Sequence, residues 1–298
     1  MPVKILIIYN SVSFFSKLIK KKGYSIFPTF RSVNFLGKVF RRISIMLNVR
    51  VSFWYDDWKR HAESVDVILV FASRKYDHIE YLAKKYPLKR IIVWYWNPVF
   101  RCFNPNDLNY KNIEYWSFDL EDCKKYTLKY NTTFYFDNID FSKNVPISSD
   151  VVFLGKDKGR SEKLKEIENE LEEMGLLTNF YIVSDLSKGH ENPKKFIAYE
   201  SYLKMIIESR AILDYLQDGQ IGLTLRPMES VFLNKKLITN DLNVINEDFY
   251  YKENVFILGK DNINDLKKFI EDPFVEVPWS IVSKYEFSNW INRFFTNE

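Results

Sequence analysis

The sequence predicts an α/β protein of two Rossmann-like domains facing each other across a cleft, and three observations carry that expectation. Short apolar runs rich in β-branched and aromatic residues alternate with segments of helical period. The alternation breaks at FDNIDFSKNVPISSD and then starts again. The chain has 298 residues, about twice the length of a common domain. Two successive βα arrays imply one domain over residues 1–145 and a second over 146–298, with a C-terminal helix that can return to the first.

In chain order, VKILIIY, VDVILVFA, RIIVWYW, IEYWSF and TTFYF are expected as buried parallel strands of the first array. Pro146 lies in the polar stretch read as the linker. VVFLG then opens the second array and leads into SEKLKEIENELEEMG, a Lys- and Glu-rich helix. NFYIVS, AILDYL, KKLIT and NVFIL follow as strands, with helices near Tyr199 to Glu208 and Pro227 to Leu233.

Composition narrows the function classes. A hydrophobic content of 46% supplies a core, so the chain is globular rather than disordered. Cys102 and Cys123 cannot build a disulfide framework, and no secretory leader precedes the first strand, so a reducing cytoplasmic setting is expected. No apolar run reaches the roughly 18 residues that span a bilayer. His61, His78 and His190 stand without cysteine company, which argues against zinc. The net charge of +4 hides an asymmetry: residues 1–60 hold twelve Lys or Arg against Asp56 and Asp57 alone. Such a basic region suits a polyanion such as nucleic acid, anionic lipid or a pyrophosphate-bearing substrate.

Ligands of open parallel sheets sit beyond the carboxyl ends of strands, where loops feed helix N-termini. Two loops of the second array meet that description. GKDKGR follows VVFL with Gly155 for close approach and Lys156, Lys158 and Arg160 for negative charge. DGQIGLTLRPMES places Gly219, Gln220, Gly222 and Thr224 ahead of the helix that carries Arg226 and Glu229. Both loops suit phosphate. Arg226 also has a plainer reading, an ion pair with Glu229 three residues on. Neither loop matches G-x-x-x-x-G-K-[ST] or G-x-G-x-x-G, which disfavours a P-loop NTPase and an ordinary dinucleotide dehydrogenase.

The run GQIGLTLRPMESVFLNKKLITND resembles the donor-site segment of GT-B glycosyltransferases. Together with IIVWYWNPV, EYWSFDLEDCKKY and VVFLGKDKGR it is similar to bacterial capsule and lipopolysaccharide transferases, over roughly Ile91 to the C terminus. The resemblance implies a GT-B fold and a nucleotide-sugar donor. By it, Glu229 binds the ribose, Gly219, Gln220 and Thr224 lie near the diphosphate, and Arg226, Lys158 and Arg160 neutralise it. Many such enzymes carry a second Glu eight residues before the ribose-binding one; here that position is Ile221. No Asp-x-Asp motif occurs, DLED at Asp119 to Asp122 having the wrong spacing, so a reaction without a metal or other cofactor is expected.

An inverting enzyme would need a base in the first domain, for which Asp56, Asp57 and His61 are the candidates, and Asn97 is expected beside them at the carboxyl end of RIIVWYW, facing the cleft. The plainer reading of Asp56, Asp57 and His61, which their place in the sequence favours, is a helix cap and a solvated helix face. The expected partners are a nucleotide sugar, a lipid-linked or oligosaccharide acceptor and an anionic membrane surface, with no nucleic acid. The alternatives are a sugar-nucleotide epimerase of the same architecture and a non-catalytic transferase subunit. In FLGKVFRRISIML, Leu36, Val39, Phe40, Ile43, Met46 and Leu47 recur at helical spacing. The expectation is that this stripe packs on the sheet and that Lys20 to Lys22, Arg41 and Arg42 meet anionic lipid at the inner face of the cytoplasmic membrane.

Overall fold

The structure is a computed structural model that describes residues 3–10, 13–47, 49–139, 145–183, 196–216 and 222–296. The chain divides into two compact units, the first ending at Thr132 and the second running Thr133–Thr296.

Among the described residues the first unit contains β1 (Ile5–Tyr9), α1 (Phe14–Lys21), β2 (Ser25–Pro28), α2 (Phe35–Met46), α3 (Trp58–His61), β3 (Val67–Phe71), α4 (Asp77–Lys85), β4 (Arg90–Tyr95), β5 (Ile113–Ser117), α5 (Leu120–Tyr126) and β6 (Lys129–Tyr130). The strands pair in parallel in the order β2-β1-β3-β4-β5-β6. Every residue of β3 is buried, as in a sheet covered on both faces, which is why its sequence runs apolar without alternation. Trp58 and Trp94 are fully enclosed, and Trp58 Nε1 donates to the Thr29 carbonyl at 2.9 Å. Asp119 of the DLED stretch caps α5, its carboxylate accepting from the Glu121 and Asp122 amides at 2.9 and 3.1 Å. Asp122 accepts from the Val99 amide at 2.7 Å. Both carboxylates hold backbone together.

The second unit contains β7 (Ser149–Lys156), α6 (Ser161–Glu173), β8 (Thr178–Val183), α7 (Tyr199–Ile207), β9 (Ser209–Asp214), α8 (Leu225–Leu233), β10 (Lys236–Thr239), β11 (Val255–Ile257), α9 (Leu266–Glu271), α10 (Trp279–Val282) and α11 (Phe287–Asn292). Its parallel order is β11-β10-β9-β7-β8. The chain leaves β7 toward one edge and β9 toward the other, so the strand order reverses between these two central strands.

TTFYF does not form a strand. Tyr135 makes one isolated parallel bridge with Glu286, its amide donating to the Tyr285 carbonyl at 2.8 Å and its carbonyl accepting from Phe287 at 2.9 Å. Phe134 packs tilted against Trp290 with ring centroids 4.3 Å apart, and Phe136 stacks on Phe287 at 5.3 Å. An apolar run with period 1 fits a buried plug as well as a buried strand. Here it anchors α11 inside the second unit, which therefore begins ahead of the Pro146 stretch. The short strand β2 is an addition, too brief and too close to Pro28 to register as a periodic segment.

The largest departure is α2. None of its residues is buried. Its apolar stripe does not pack on the sheet; Phe35, Leu36, Val39, Phe40, Ile43, Met46 and Leu47 all lie exposed.

Candidate anion site at the strand-order reversal

β7 and β9 end side by side, and the loops after them carry the charged residues singled out in the sequence. The GKDKGR loop turns through Lys158 and Gly159, both left-handed with φ of 50° and 84°. Only glycine adopts the second of two such residues without strain. Asp157 is buried beneath the turn and accepts from the Gly159 amide at 3.1 Å and the Ser161 amide at 2.9 Å, so it starts α6. Arg160 thereby points back toward the sheet, where it is buried and donates to the Tyr215 carbonyl.

Arg226 arrives from the first turn of α8. Its Nη1 donates to Asp214 Oδ1 at 3.1 Å, and its Nη2 donates to the Leu154 carbonyl. Thr224 caps α8 through the Arg226 amide at 3.2 Å and donates to Asp214 Oδ2 at 2.8 Å. Asp214 thus clamps both the helix cap and the guanidinium to the end of β9. The ion pair with Glu229 does not form, because Asp214 lies nearer and Glu229 is held elsewhere.

The two guanidinium groups share one platform. Arg160 and Arg226 sit 5.2 and 5.1 Å from the centroid of the Phe153 ring. A Cβ at Gly155 would fall 2.9 Å from Arg226 Nη2 and 3.1 Å from Arg160 Nη2, so glycine is what admits both cations there. Burial, and then the like charge of Arg226, bring Arg160 down to about 10, which leaves it protonated at neutral pH. The Nε atoms of both arginines are buried without a hydrogen-bond partner among the described residues. Lys156 and Lys158 are exposed on the same loop.

Glu229 is fully buried on α8. Its oxygens accept from the Tyr199 hydroxyl at 2.5 Å and the Tyr202 hydroxyl at 2.8 Å, and Tyr199 lies 2.8 Å from the Tyr135 hydroxyl. Burial pushes its carboxyl up to about 7 against the opposing pull of the two tyrosines and Arg226. A contact to a ribose would require one tyrosine hydroxyl to give up its bond. Gly219 and Gln220 lie outside the described residues.

The first-unit candidates do not converge. Asp57 is exposed, 3.8 Å from Arg60. His61 is exposed and stacks on Phe27 of β2 at 4.8 Å. Asn97 is exposed in the bend that follows β4. β1 and β3 stand between β2 and β4, a separation of about 14 Å at the usual strand spacing. His78 is sealed in the core and held neutral by burial, its value lowered to about 3. Among the described residues no group of three or more His, Cys, Asp or Glu stands close enough to hold a metal ion. Cys102 and Cys123 are free thiols.

Sequence reasoning picked out Gly155, Arg160, Arg226 and Glu229 but passed over Asp214, Asp157, Phe153 and the three tyrosines. An Asp closing the apolar strand AILD and followed by the glycine loop was the available signal for Asp214. The tyrosines come from α7 and from the plug at Tyr135, and no spacing links them to Glu229.

The fold of the chain has counterparts among solved structures. The DNA-modifying enzyme β-glucosyltransferase, determined with and without its substrate uridine diphosphoglucose, aligns with a TM-score of 0.50 at 13% identity over 90% of this chain and 87% of that one. The fold is GT-B. T4 phage β-glucosyltransferase in a substrate-binding study aligns equally, at 0.50 and 11% identity over the same shares. A Listeria monocytogenes protein described as a candidate UDP-N-acetylglucosamine 2-epimerase aligns with a TM-score of 0.48 at 10% identity over 99% of this chain and 97% of that one. No protein-family model matches the chain, and no curated protein sequence matches it. At such identities the likeness is one of fold, and chemistry must be argued from the site.

Proposed function

We propose that this protein is a glycosyltransferase that moves a sugar from a nucleotide-sugar donor to a lipid-linked oligosaccharide acceptor in bacterial surface polysaccharide biosynthesis, without a metal ion or other cofactor. The observation that carries the reading is the pair of guanidinium groups held over Phe153 beside the N-terminus of α8, at the reversal of strand order. A nucleotide-sugar bond breaks as negative charge builds on the departing diphosphate. Fixed cations and helix N-terminal amides stabilise that charge more strongly as it grows, so they lower the barrier and not only the ground state. Phosphate oxygens would also satisfy the two orphaned Nε donors, whose burial is otherwise costly.

In this reading Arg160 and Arg226 face the diphosphate, with Gly219, Gln220 and Thr224 beside it and Lys156 and Lys158 at the rim. Gly155 keeps the space between the cations open. Glu229 binds the ribose by exchanging one tyrosine hydroxyl for a ribose hydroxyl. For the acceptor base the candidates are Asp57 and His61, each acting singly, with Asn97 as a hydrogen-bonding group for the acceptor. The acceptor's lipid carrier puts the protein at the inner face of the cytoplasmic membrane.

The test is incubation of the protein with a panel of UDP-, GDP- and CMP-sugars. Slow release of free nucleoside diphosphate or monophosphate is expected, with Arg226→Ala lowering turnover and Glu229→Ala weakening nucleotide binding. Interconversion of sugars without release would show an epimerase instead. Absence of nucleotide binding would overturn the reading in favour of a non-catalytic subunit.

A further inference from the structure

The exposed helix α2 is amphipathic in reverse. Successive helical residues turn by about 100°, so Phe35, Leu36, Val39, Phe40, Ile43, Met46 and Leu47 fill one arc of about 140°. The opposite arc holds Gly37, Arg41, Ser44 and Ile45, the residues of the helix that are partly covered. Arg41 donates to the Arg31 carbonyl at 3.0 Å and lies over the Phe30 ring at 5.2 Å; Ile45 packs against the core of the first unit. The polar face therefore holds the helix to the protein. The apolar face looks outward, with Phe35 77%, Phe40 62% and Met46 75% exposed. Asn34 caps the helix through the Gly37 amide at 2.9 Å, so α2 is a formed element and not a frayed end. Beside it the 3-10 turn Val51–Trp54 exposes Phe53 as well.

Lys38 and Arg42 lie along one border of the apolar arc, exposed, and the helix carries no acidic residue. We propose that α2 lies in the interface of an anionic bilayer, its phenylalanines, Leu36 and Met46 among the acyl chains and Lys38 and Arg42 at the headgroups. Charge complementarity selects this occupant. Twelve cations and two carboxylates in residues 1–60 attract an anionic surface. A second copy of the chain docking on the same face would set Lys38 and Arg42 against their own kind. A helix with an apolar face of Phe and Leu and a cationic border is the form that interfacial anchors take. The inference rests on the membrane location proposed above and deepens it, by naming the element that enters the lipid. It replaces docking by charge alone with insertion assisted by charge.

Co-sedimentation of the full chain with phosphatidylglycerol-containing vesicles tests it, with pure phosphatidylcholine as the control lipid. No nucleotide sugar is added, so vesicle binding and donor chemistry can fail separately. Binding is expected to anionic vesicles at low salt, with a part that survives high salt. Phe35→Ser with Phe40→Ser should lower partitioning roughly a hundredfold at an unchanged melting temperature, because both side chains already stand in water. Lys38→Gln and Arg42→Gln should each lower binding to anionic vesicles roughly fivefold and leave the salt-resistant part. Met46→Gln provides an independent change on the same arc. No vesicle binding at low salt, or equal binding by the serine and Met46→Gln variants, would overturn the proposal. A stable dimer that the serine variant converts to a monomer would also overturn it, and would show that a second copy covers the face.

Discussion

Replacing Glu229 with Gln isolates the energetic cost of keeping that carboxylate inside the second unit. Burial pushes the wild-type carboxyl up to about 7 in the folded chain from an ordinary 4.5. Below about 4.5 both folded and unfolded chains hold the proton and there is no penalty. Between about 4.5 and 7 the unfolded chain loses its proton while the folded chain keeps it, so stability falls as pH rises. Above about 7 both are ionised and the full difference is missing, about 3 kcal/mol at roughly 1.4 kcal/mol for each tenfold change in proton affinity. Glutamine cannot ionise, although it still accepts from Tyr199 or Tyr202 and offers an amide to the other hydroxyl. Urea denaturation of both proteins at about pH 5 and about pH 8 measures the difference. Because the unfolded carboxyl is already largely ionised at about pH 5, the variant should gain about 2.5 kcal/mol relative to wild type between those conditions, whatever fixed cost the amide brings. Glu247, pushed up to about 7 by burial and by neighbouring Asp248, titrates in the same window in both proteins and cancels from the comparison. A wild-type to variant difference that stays constant with pH would refute the account of Glu229 as a buried carboxyl starved of water.

Gly155→Ala should push the two guanidinium groups off Phe153, because its Cβ would meet Arg226 Nη2 at 2.9 Å and the Phe153 ring edge at 3.0 Å. A loss of about 1–3 kcal/mol in stability is expected, together with weaker nucleoside diphosphate binding by calorimetry; normal values for both would contradict the crowding argument. Phe134→Ala removes a fully buried ring that packs tilted against Trp290 and edge-to-face against Phe287. It should cost about 3–5 kcal/mol and expose the amides of α11 to rapid hydrogen exchange, an outcome that protection of α11 would deny. Thr224→Val deletes the cap of α8 and its bond to Asp214. About 1 kcal/mol of stability should go with it, read from thermal melts.

The strands of the second array were legible because each is short, apolar and bounded by polar turns. VVFLG, NFYIVS, AILDYL, KKLIT and NVFIL correspond to β7 through β11. Periodicity could not separate TTFYF from a strand, since what distinguishes them is the partner: one bridge to Glu286 and a ring cluster with α11, about 150 residues away in sequence. The same limit governs α2. Its spacing specifies an apolar arc but not what lies against it, and the tether through Arg41 and Ile45 puts the arc on the outside. At the site, glycine and charge in the two loops were visible, whereas the buried side chains that position them come from strand ends and from α7. Burial and pairing are properties of the fold, so the tyrosines around Glu229 could be found only there, whereas Asp214 left one signal, its place at the end of AILD ahead of the glycine loop.

Asp214 sets how much of the positive charge at the reversal point is left for a ligand. It pairs with Arg226 at 3.1 Å and is itself almost wholly enclosed, so its charge is poorly screened by water. Among the described residues Arg160 makes no such ion pair, although Asp157 and Asp214 both act favourably on its charge, so Asp214 is one of two buried carboxylates that offset the two guanidinium groups while Lys156 and Lys158 add positive charge at the rim. Asp214→Asn keeps the shape and an oxygen that can accept from Thr224, but it removes that opposing charge. The folded protein should lose stability, since a buried guanidinium then lacks its carboxylate. Affinity for a nucleoside diphosphate should nevertheless rise severalfold, an electrostatic gain on the order of 1 kcal/mol, and its salt dependence should steepen. A merely structural Asp214 would give the opposite sign, weaker binding that follows the weaker fold. Titration calorimetry at two salt concentrations, beside a melting curve, separates the two. Lower affinity in the asparagine variant would show that the paired arginines hold the strand ends together and that the anion binds elsewhere.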